Sequence, residues 1–285
     1  MSAMEEPWEP FEASPGIVVR AFRTRTLPPA EGTNSYLVGT GEALLVEPAP
    51  DDPNERADLD AWVRESGLEL RAIFCTHHHG DHVGAASATA ARFGVPLWAH
   101  AATAQRLEGK VTFDRLVEDG ETISLEGPQR VVLHAIHTPG HAPGHLCLLE
   151  DAHRALIAGD MVASKGTILV ETTDGDMRLY LESLARLRAL EPSMLLPAHG
   201  MPIHDADAHL ARYITHRLAR EKRVLDALRA FAGPARSADL VPTAYADAPR
   251  GAWPLAAMST EAHLIKLEGD GRVRSFDGRW IATGD

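Results

Sequence analysis

The sequence has few of the features that mark secreted or membrane-embedded proteins. It contains two cysteines, Cys75 and Cys147, which are too few for a disulfide framework and are typical of buried thiols. It has no apolar run of about 18 residues or more, the length that a transmembrane helix requires. The acidic N-terminal segment carries neither the basic nor the apolar part of a secretory signal. We therefore expect a cytoplasmic protein without a membrane partner.

Positive charge is also scarce. The chain has 28 lysine and arginine residues against 40 aspartate and glutamate residues, which gives a net charge of -12. Such a surface repels phosphate backbones and anionic membranes unless a local basic patch overrides it. With 45% apolar residues, the 285-residue chain can fill a core, and its length predicts one large domain or one domain with a smaller appendage.

In the first two thirds of the chain, short apolar strands alternate with amphipathic helices. We predict strands at 17–24, 34–39, 43–47, 70–75, 95–99, 122–125, 131–136, 146–149, 155–158 and 194–196. We predict helices at 55–66, 84–93 and 176–190, of which the last carries the clearest apolar stripe. This alternation is typical of a layered α/β domain.

The pattern changes after about residue 205. A long helix is predicted at 206–231, followed by a proline- and alanine-rich stretch and a short helix at 259–267. Asp277-Gly278 predicts a tight hairpin between strands 273–276 and 279–282. Helices followed by a hairpin resemble a winged helix, so we expect one domain at 1–204 and a helical, winged-helix-like domain at 205–285.

The densest chemical signal is His77-x-His79-x-Asp81-His82, which follows the apolar strand at 70–75. Alternate residues of an extended segment share one face, and imidazole nitrogens with carboxylate oxygens suit zinc, with iron or manganese as alternatives. A histidine-rich surface loop is the simplest alternative. Three more segments, however, place the ligand types His141, Asp160 and His199 at strand ends, where α/β sites lie.

These motifs resemble the metallo-β-lactamase superfamily in their order and spacing. The resemblance rests on Thr76-His-His-His-Gly-Asp-His82, Thr138-Pro-Gly-His141, Gly159-Asp160 and Ala198-His199-Gly200, and it covers roughly residues 16–204. It implies an αββα sandwich with the site at one edge between the sheets. By position, it implies a first metal held by His77, His79 and His141, a second held by Asp81, His82 and His199, and Asp160 as the bridge between them.

Three further residues are candidates for the surroundings of the metals. Many members of the family have Asp-x-Gly after an early strand, whereas this chain has Leu45-Val-Glu-Pro-Ala49, so Glu47 either braces the metal loop or faces solvent. Asn34 either contacts substrate or fixes a loop. His145 either supports the site or substrate or has a purely structural role.

The resemblance implies a hydrolase with two metal ions about 3.5–4 Å apart that share a hydroxide. We expect this hydroxide to attack a thioester or ester carbonyl, with Asp81 binding one metal and orienting the nucleophile as the catalytic residue. The expected partner is a small acyl substrate. Neither the oligomeric state nor the acyl group is apparent from the sequence.

Two alternatives remain open at this point. The C-terminal part resembles a branch that includes an animal mitochondrial endoribonuclease and fungal polyketide thioesterases. A ribonuclease would use the cations of the long helix, which could equally form a solvated face paired with Glu221 and Asp226; these cations are Arg212, Arg217, Arg220, Lys222, Arg223 and Arg229. A non-catalytic metal-binding protein is the other alternative, and the intact ligand set argues against it.

Overall fold

A seven-stranded sheet organises the first part of the chain in the computed structural model, which describes residues 6–283. The strands lie side by side in chain order. They are β1 (Phe11–Ser14), β2 (Ile17–Arg23), β3 (Gly32–Val38), β4 (Glu42–Val46), β5 (Glu69–Phe74), β6 (Leu97–Ala99) and β7 (Arg115–Leu116). The first four pair antiparallel and β4 to β7 pair parallel, so the carboxyl ends of β4 and β5 lie at the same edge.

A second sheet of five strands follows in the order β12-β11-β10-β9-β8. Its members are β8 (Thr122–Leu125), β9 (Val131–His137), β10 (Leu146–Glu150), β11 (Ala155–Gly159) and β12 (Met194–Pro197). The pair β11 and β12 is parallel and the others are antiparallel. Consequently β9, β11 and β12 end at one edge of the sheet.

The two sheets pack face to face through a shared apolar core. Alternate side chains of the first sheet, such as Val19, Tyr36 and Phe74, meet Leu133 and Leu148 of the second, and all five are almost completely buried. Side chains with a period of two place one face of each strand inward, which explains the apolar alternation in the sequence.

Helices cover the outer faces of both sheets. They are α1 (Pro53–Glu65), α2 (Gly80–Val83), α3 (Ala86–Phe93), α4 (Ala101–Arg106) and α5 (Met177–Ala189). Leu59 and Trp62 of α1 pack on the first sheet, and Tyr180 and Leu184 of α5 pack on the second. The order helix, sheet, sheet, helix confirms the predicted αββα sandwich.

The C-terminal part forms a helical unit with a hairpin. It comprises α6 (Ala206–Ala230), α7 (Ser237–Ala244), α8 (Trp253–Gly269), β13 (Val273–Phe276) and β14 (Arg279–Ala282). Its core contains Leu228, Leu264 and Trp280, whereas Leu210 and Tyr213 of α6 pack on the sandwich. Thus α6 contributes to both cores, and the domain boundary at 204/205 stays a prediction. Within residues 6–283, no helix combines the length and apolar character needed to cross a membrane.

Several elements differ from the sequence expectation. The helix expected at 84–93 corresponds to α3, which begins at Ala86, and the separate short helix α2 precedes it. Gly84, between the two helices, lies against backbone, where an added Cβ would be 2.6 Å from the Ala49 carbonyl oxygen. Helix α7, which contains Pro242, lies in the proline- and alanine-rich stretch, where no element was predicted, and α8 begins at Trp253 instead of residue 259. Both helices are held by burial in the C-terminal core, a tertiary effect that local propensity does not report.

Gly140 is closely packed against α5, and its substitution tests how much this packing stabilises the protein. Gly140 has a φ of 129°, and an added Cβ would lie 2.2 Å from the Tyr180 backbone nitrogen in α5. We expect Gly140→Ala to lower the free energy of unfolding by about 3 kcal/mol through overpacking, beyond a left-handed backbone cost of roughly 1–2 kcal/mol. Urea denaturation followed by circular dichroism measures this loss.

Gly120→Ala is the matched control. Gly120 also has a positive φ, of 80°, but a Cβ added there would meet no neighbouring atom within 4 Å. This variant should therefore show the backbone cost alone. Equal destabilisation by the two variants would contradict the packing explanation.

Candidate metal centre

Four loops at one edge of the sandwich bring the predicted ligands together. The first loop follows β5 and carries His77 and His79, and α2 immediately after it carries Asp81 and His82. The turn after β9 carries His141, while Asp160 and His199 follow β11 and β12. Each ligand therefore lies just beyond a strand whose position the core fixes.

Three histidines form the first cluster. The Nε2 atom of His141 lies 3.3 Å from Nε2 of His77 and 3.0 Å from Nδ1 of His79, and the latter two nitrogens are 3.0 Å apart. Three nitrogens at 2.0–2.1 Å from one zinc ion in tetrahedral geometry would be roughly 3.3 Å apart. The separations therefore match the space for one metal ion.

The second cluster contains Asp81, His82 and His199. The Oδ2 atom of Asp81 lies 3.8 Å from Nε2 of His82 and 3.8 Å from Nε2 of His199. One ligand atom from each of the three residues lies within 4.8 Å of the others. This group can hold a second ion.

Asp160 lies between the two clusters. Its Oδ2 is 3.4 Å from Nε2 of His141 and 3.6 Å from Nε2 of His82, and its Oδ1 is 3.3 Å from Nε2 of His199. Within residues 6–283, Asp160 Oδ1 and His82 Nε2 are buried and have no hydrogen-bond partner. Buried polar atoms without partners are costly, so their convergence indicates a ligand that is a cation.

The charges of the site suit a cation as well. Burial, together with neighbouring His82, holds the pKa of His77 well below its usual range, and burial lowers the pKa of His141 to about 4. Burial alone would also lower the pKa of His82, but the carboxylates of Glu47 and Asp160 outweigh it and leave this pKa well above its usual range. The first cluster thus offers neutral imidazoles, and the second offers an excess of nearby carboxylate; deprotonated ligands and negative charge both favour binding of a divalent metal ion.

Glu47 contacts the metal loop from behind. Its side chain is fully buried, so the solvent-facing alternative is wrong. Its Oε1 lies 3.2 Å from Nδ1 of His82 and accepts a hydrogen bond from the Thr76 hydroxyl. The remaining ring nitrogen of His82 thus faces a carboxylate, the arrangement that orients histidine ligands of metals.

Asn34 and His145 fix loops that carry ligands. The Asn34 side-chain amide is fully buried and donates to the carbonyls of Pro197 and Gly200, both at 2.8 Å, on either side of His199. Nε2 of His145 accepts a hydrogen bond of 3.0 Å from the Asp160 backbone N–H. Both residues therefore bond to the backbone of loops that carry candidate metal ligands.

One supporting residue escaped the sequence analysis. Asp174 lies 3.5 Å from Nε2 of His79, on the ring side opposite the metal cluster, and 3.1 Å from Nε2 of His78. It also pairs with Arg106 at 2.9 Å. The approach of Asp174 to His79 is a tertiary contact between distant segments, for which the sequence carries no local signal.

The metal centre opens into a cavity of about 630 Å³. His79, Asp81, His141, Asp160 and His199 form its floor. The segment 165–169 and residues of the C-terminal unit form its other walls. The cavity therefore lies between the sandwich and the appendage, and both contribute to whatever it binds.

Sequence comparisons agree with this geometry. The model of the metallo-beta-lactamase superfamily matches residues 28–199, and the model of the beta-lactamase associated winged helix domain matches residues 237–280. An Aspergillus chevalieri protein named atrochrysone carboxyl ACP thioesterase is 32% identical over 271 residues, which are 90% of this chain and 83% of that protein. The lactamase-like protein vrtG of Penicillium aethiopicum is 37% identical over 203 residues, 70% of this chain. The chain spans 61% of the length of vrtG and 60% of a thioesterase of the same atrochrysone type from Emericella nidulans.

Solved structures show the same fold over nearly the whole chain. A beta-lactamase domain protein from Burkholderia ambifaria matches with a TM-score of 0.84 at 21% identity, covering 99% of this chain and 96% of that one. A metallo-beta-lactamase family protein from Thermus thermophilus matches with a TM-score of 0.79 at 23% identity, covering 95% and 100%. With the ligand geometry and the matched family models, these similarities show that the chain belongs to the metallo-beta-lactamase superfamily and carries its associated winged-helix domain.

Proposed function

We propose that this protein hydrolyses a thioester or ester bond of an acyl substrate with the help of two divalent metal ions. The observation that carries the proposal is the shared cavity: five metal-ligating side chains form its floor, and apolar residues of the C-terminal unit, including Leu255, Ala256 and Met258, form a wall. An acyl chain fits the apolar wall while its carbonyl lies at the floor. The relatives named as ACP thioesterases support the same substrate class.

Seven residues would hold the metals. His77, His79 and His141 would hold one ion, Asp81, His82 and His199 the other, and Asp160 both. Five imidazoles and two carboxylates favour zinc, with iron or manganese as alternatives. Bound there, the ions would supply a nucleophile from water at neutral pH and polarise the substrate carbonyl.

We assign to Asp81 the role of orienting the water that acts as the nucleophile. Its carboxylate is partly exposed and lines the cavity, so it can accept a hydrogen bond from the attacking water and direct that water at the carbonyl. A cysteine nucleophile is excluded in this structure, because Cys75 and Cys147 are both fully buried. Burial also raises the pKa of Cys147 to about 12, which keeps its thiol protonated.

The arrangement of α6 gives little support to a ribonuclease. Arg217 and Arg220 are buried instead of facing solvent. Arg220 and Arg223 both pair with Asp247, at 2.8 Å and 2.5 Å, and Lys222 pairs with Asp226 at 2.6 Å. Cations that are buried or paired in this way are poorly placed to follow a phosphate backbone.

The activity itself is the first prediction. Zinc-loaded protein should hydrolyse acyl thioesters, and Asp81→Ala should lower kcat by about 10²–10⁴-fold, as expected when a group that positions the reacting proton is lost. Release of free thiol, followed with a chromogenic thiol reagent, measures the rate. Removal of metal with a chelator should abolish it, and added zinc should restore it.

Asp58→Ala, an exposed substitution on α1, is the control and should leave the rate unchanged. Metal content must be measured for each variant, so that loss of an ion is distinguished from loss of the nucleophile's orientation. Absence of metal-dependent thioester and ester turnover in the intact protein would contradict the proposed function, and RNA would then be the substrate to test.

Glu47 provides a second prediction that does not depend on substrate. Glu47→Gln keeps the size of the side chain but removes the charge beside Nδ1 of His82, so we expect metal affinity to fall by about 10–100-fold. Competition between the protein and a fluorescent zinc chelator measures this affinity.

Glu69→Gln, at an exposed position of β5, is the matched control and should bind zinc like the unaltered protein. Thermal unfolding of the metal-free variants checks that the buried site accommodates the glutamine side chain of Glu47→Gln. Unchanged zinc affinity in Glu47→Gln would show that Glu47 has no part in metal binding.

A further inference from the structure

A buried arginine lines the cavity without a carboxylate partner. Arg217 of α6 has 3% of its surface exposed and borders the same cavity as the metal ligands. Nearby acids are engaged elsewhere: Asp247 pairs with Arg220 and Arg223, and Glu221 pairs with Lys266 at 2.9 Å. Among residues 6–283, no carboxylate forms an ion pair with Arg217.

The contacts of the Arg217 side chain leave its charge uncompensated. One terminal nitrogen donates to the Ile168 carbonyl, and the guanidinium carbon lies 5.3 Å from the centre of the Tyr180 ring. Its Nε is buried and has no hydrogen-bond partner in the described part of the chain. Taking an ion out of water costs several kcal/mol unless an opposite charge is present, so an anionic ligand is the missing partner.

Neighbouring His216 adds a polar atom to the same wall without adding charge. Its Nδ1 is buried and has no hydrogen-bond partner within residues 6–283. Burial, together with the charges of Arg217 and Arg220, lowers the pKa of His216 to about 4, so the ring is neutral near pH 7. The uncompensated positive charge in this wall therefore belongs to Arg217, because Arg220, which also lines the cavity, is paired with Asp247. His216 supplies a further hydrogen-bonding group.

The arginine and the metal centre share a segment of backbone. The Ile168 carbonyl accepts the hydrogen bond from Arg217, and the carbonyl of the next residue, Leu169, lies 2.9 Å from Nδ1 of the metal ligand His141. Arg217, in the wall of the cavity, and His141, in its floor, thus contact adjacent carbonyls of one backbone segment. A substrate with its carbonyl at the metals can place a second functional group at Arg217.

We propose that Arg217 binds an anionic oxygen, such as a carboxylate, on the acyl portion of the substrate; this inference rests on the proposed hydrolase function. The acyl portion is favoured over the thiol portion because Arg217 is almost fully buried and lines the cavity together with the apolar residues Ile168 and Ala256. The thiol portion, when carried by coenzyme A or a carrier protein, must extend to solvent. The highly exposed Arg25 borders the cavity on the outer side and is better placed for it.

Matched thioesters test this assignment. We would compare adipoyl and suberoyl thioesters with hexanoyl and octanoyl thioesters, each made with N-acetylcysteamine, which has no charge, and with coenzyme A, which has phosphates. The unaltered protein should prefer the carboxylated acyl groups in kcat/KM by about 10- to 100-fold with both thiols, as expected for a charge-assisted hydrogen bond. Arg217→Gln should abolish the preference, and Arg217→Lys should retain part of it.

The control is Arg212→Gln, an exposed position five residues earlier on α6 that does not line the cavity and should keep the preference. Equal loss of turnover for charged and neutral acyl groups in Arg217→Gln would overturn the proposal. It would show that Arg217 serves only to hold the Ile168 backbone in place. An effect confined to coenzyme A thioesters would also overturn it, in favour of the thiol's phosphates. A lack of preference for carboxylated acyl groups in the unaltered protein would overturn the proposal as well.

Calorimetry separates failure of this inference from failure of the proposed function. Adipate should bind more tightly than hexanoate, and Arg217→Gln should remove the difference, even if the protein hydrolyses neither thioester. Equal binding of adipate and hexanoate would contradict the role of Arg217. Absence of thioester turnover together with selective adipate binding would contradict the hydrolase alone.

Discussion

Convergence of seven candidate metal ligands from four loops is the constraint on which this structure depends. Metal sites tolerate errors of a few tenths of an ångström, and the loops originate from two different sheets. The apolar core between the sheets meets this requirement, because close-packed side chains such as Tyr36, Phe74 and Leu148 fix the separation and stagger of the strands. The metal centre is thus a consequence of packing at a distance as much as of the ligands themselves.

Hydrogen bonds to the side chains of the candidate ligands fix the positions of individual ligand atoms. In three of the histidines, the nitrogen that does not face the metals meets a specific partner: Thr76 for His77, Leu169 for His141 and Gly32 for His199. Such partners select the tautomer and hold the ring. Because most of them are backbone carbonyls or come from remote strands, the supporting network is invisible as a sequence motif.

The C-terminal unit forms part of the boundary of the cavity at the metal centre. Helix α6 leaves the sandwich core near Tyr213, passes the cavity at Arg217 and ends in the C-terminal core near Leu228. The cavity therefore combines a polar floor from one unit with a largely apolar wall and the buried cations Arg217 and Arg220 from the other. We expect the chemistry to come from the sandwich and substrate selection to come from the contact between the two units.

The sequence by itself determined the class of the fold, the ligand types and the hairpin at Asp277-Gly278, because strand alternation, helical periodicity and turn chemistry are local properties. Only the tertiary structure decided that Glu47 meets His82, and that Arg217 is buried while Arg212 on the same helix is exposed. Local periodicity states which residues share a face, but not what that face meets. That depends on the packing of elements distant in the chain, which also holds α7 around Pro242 as a helix.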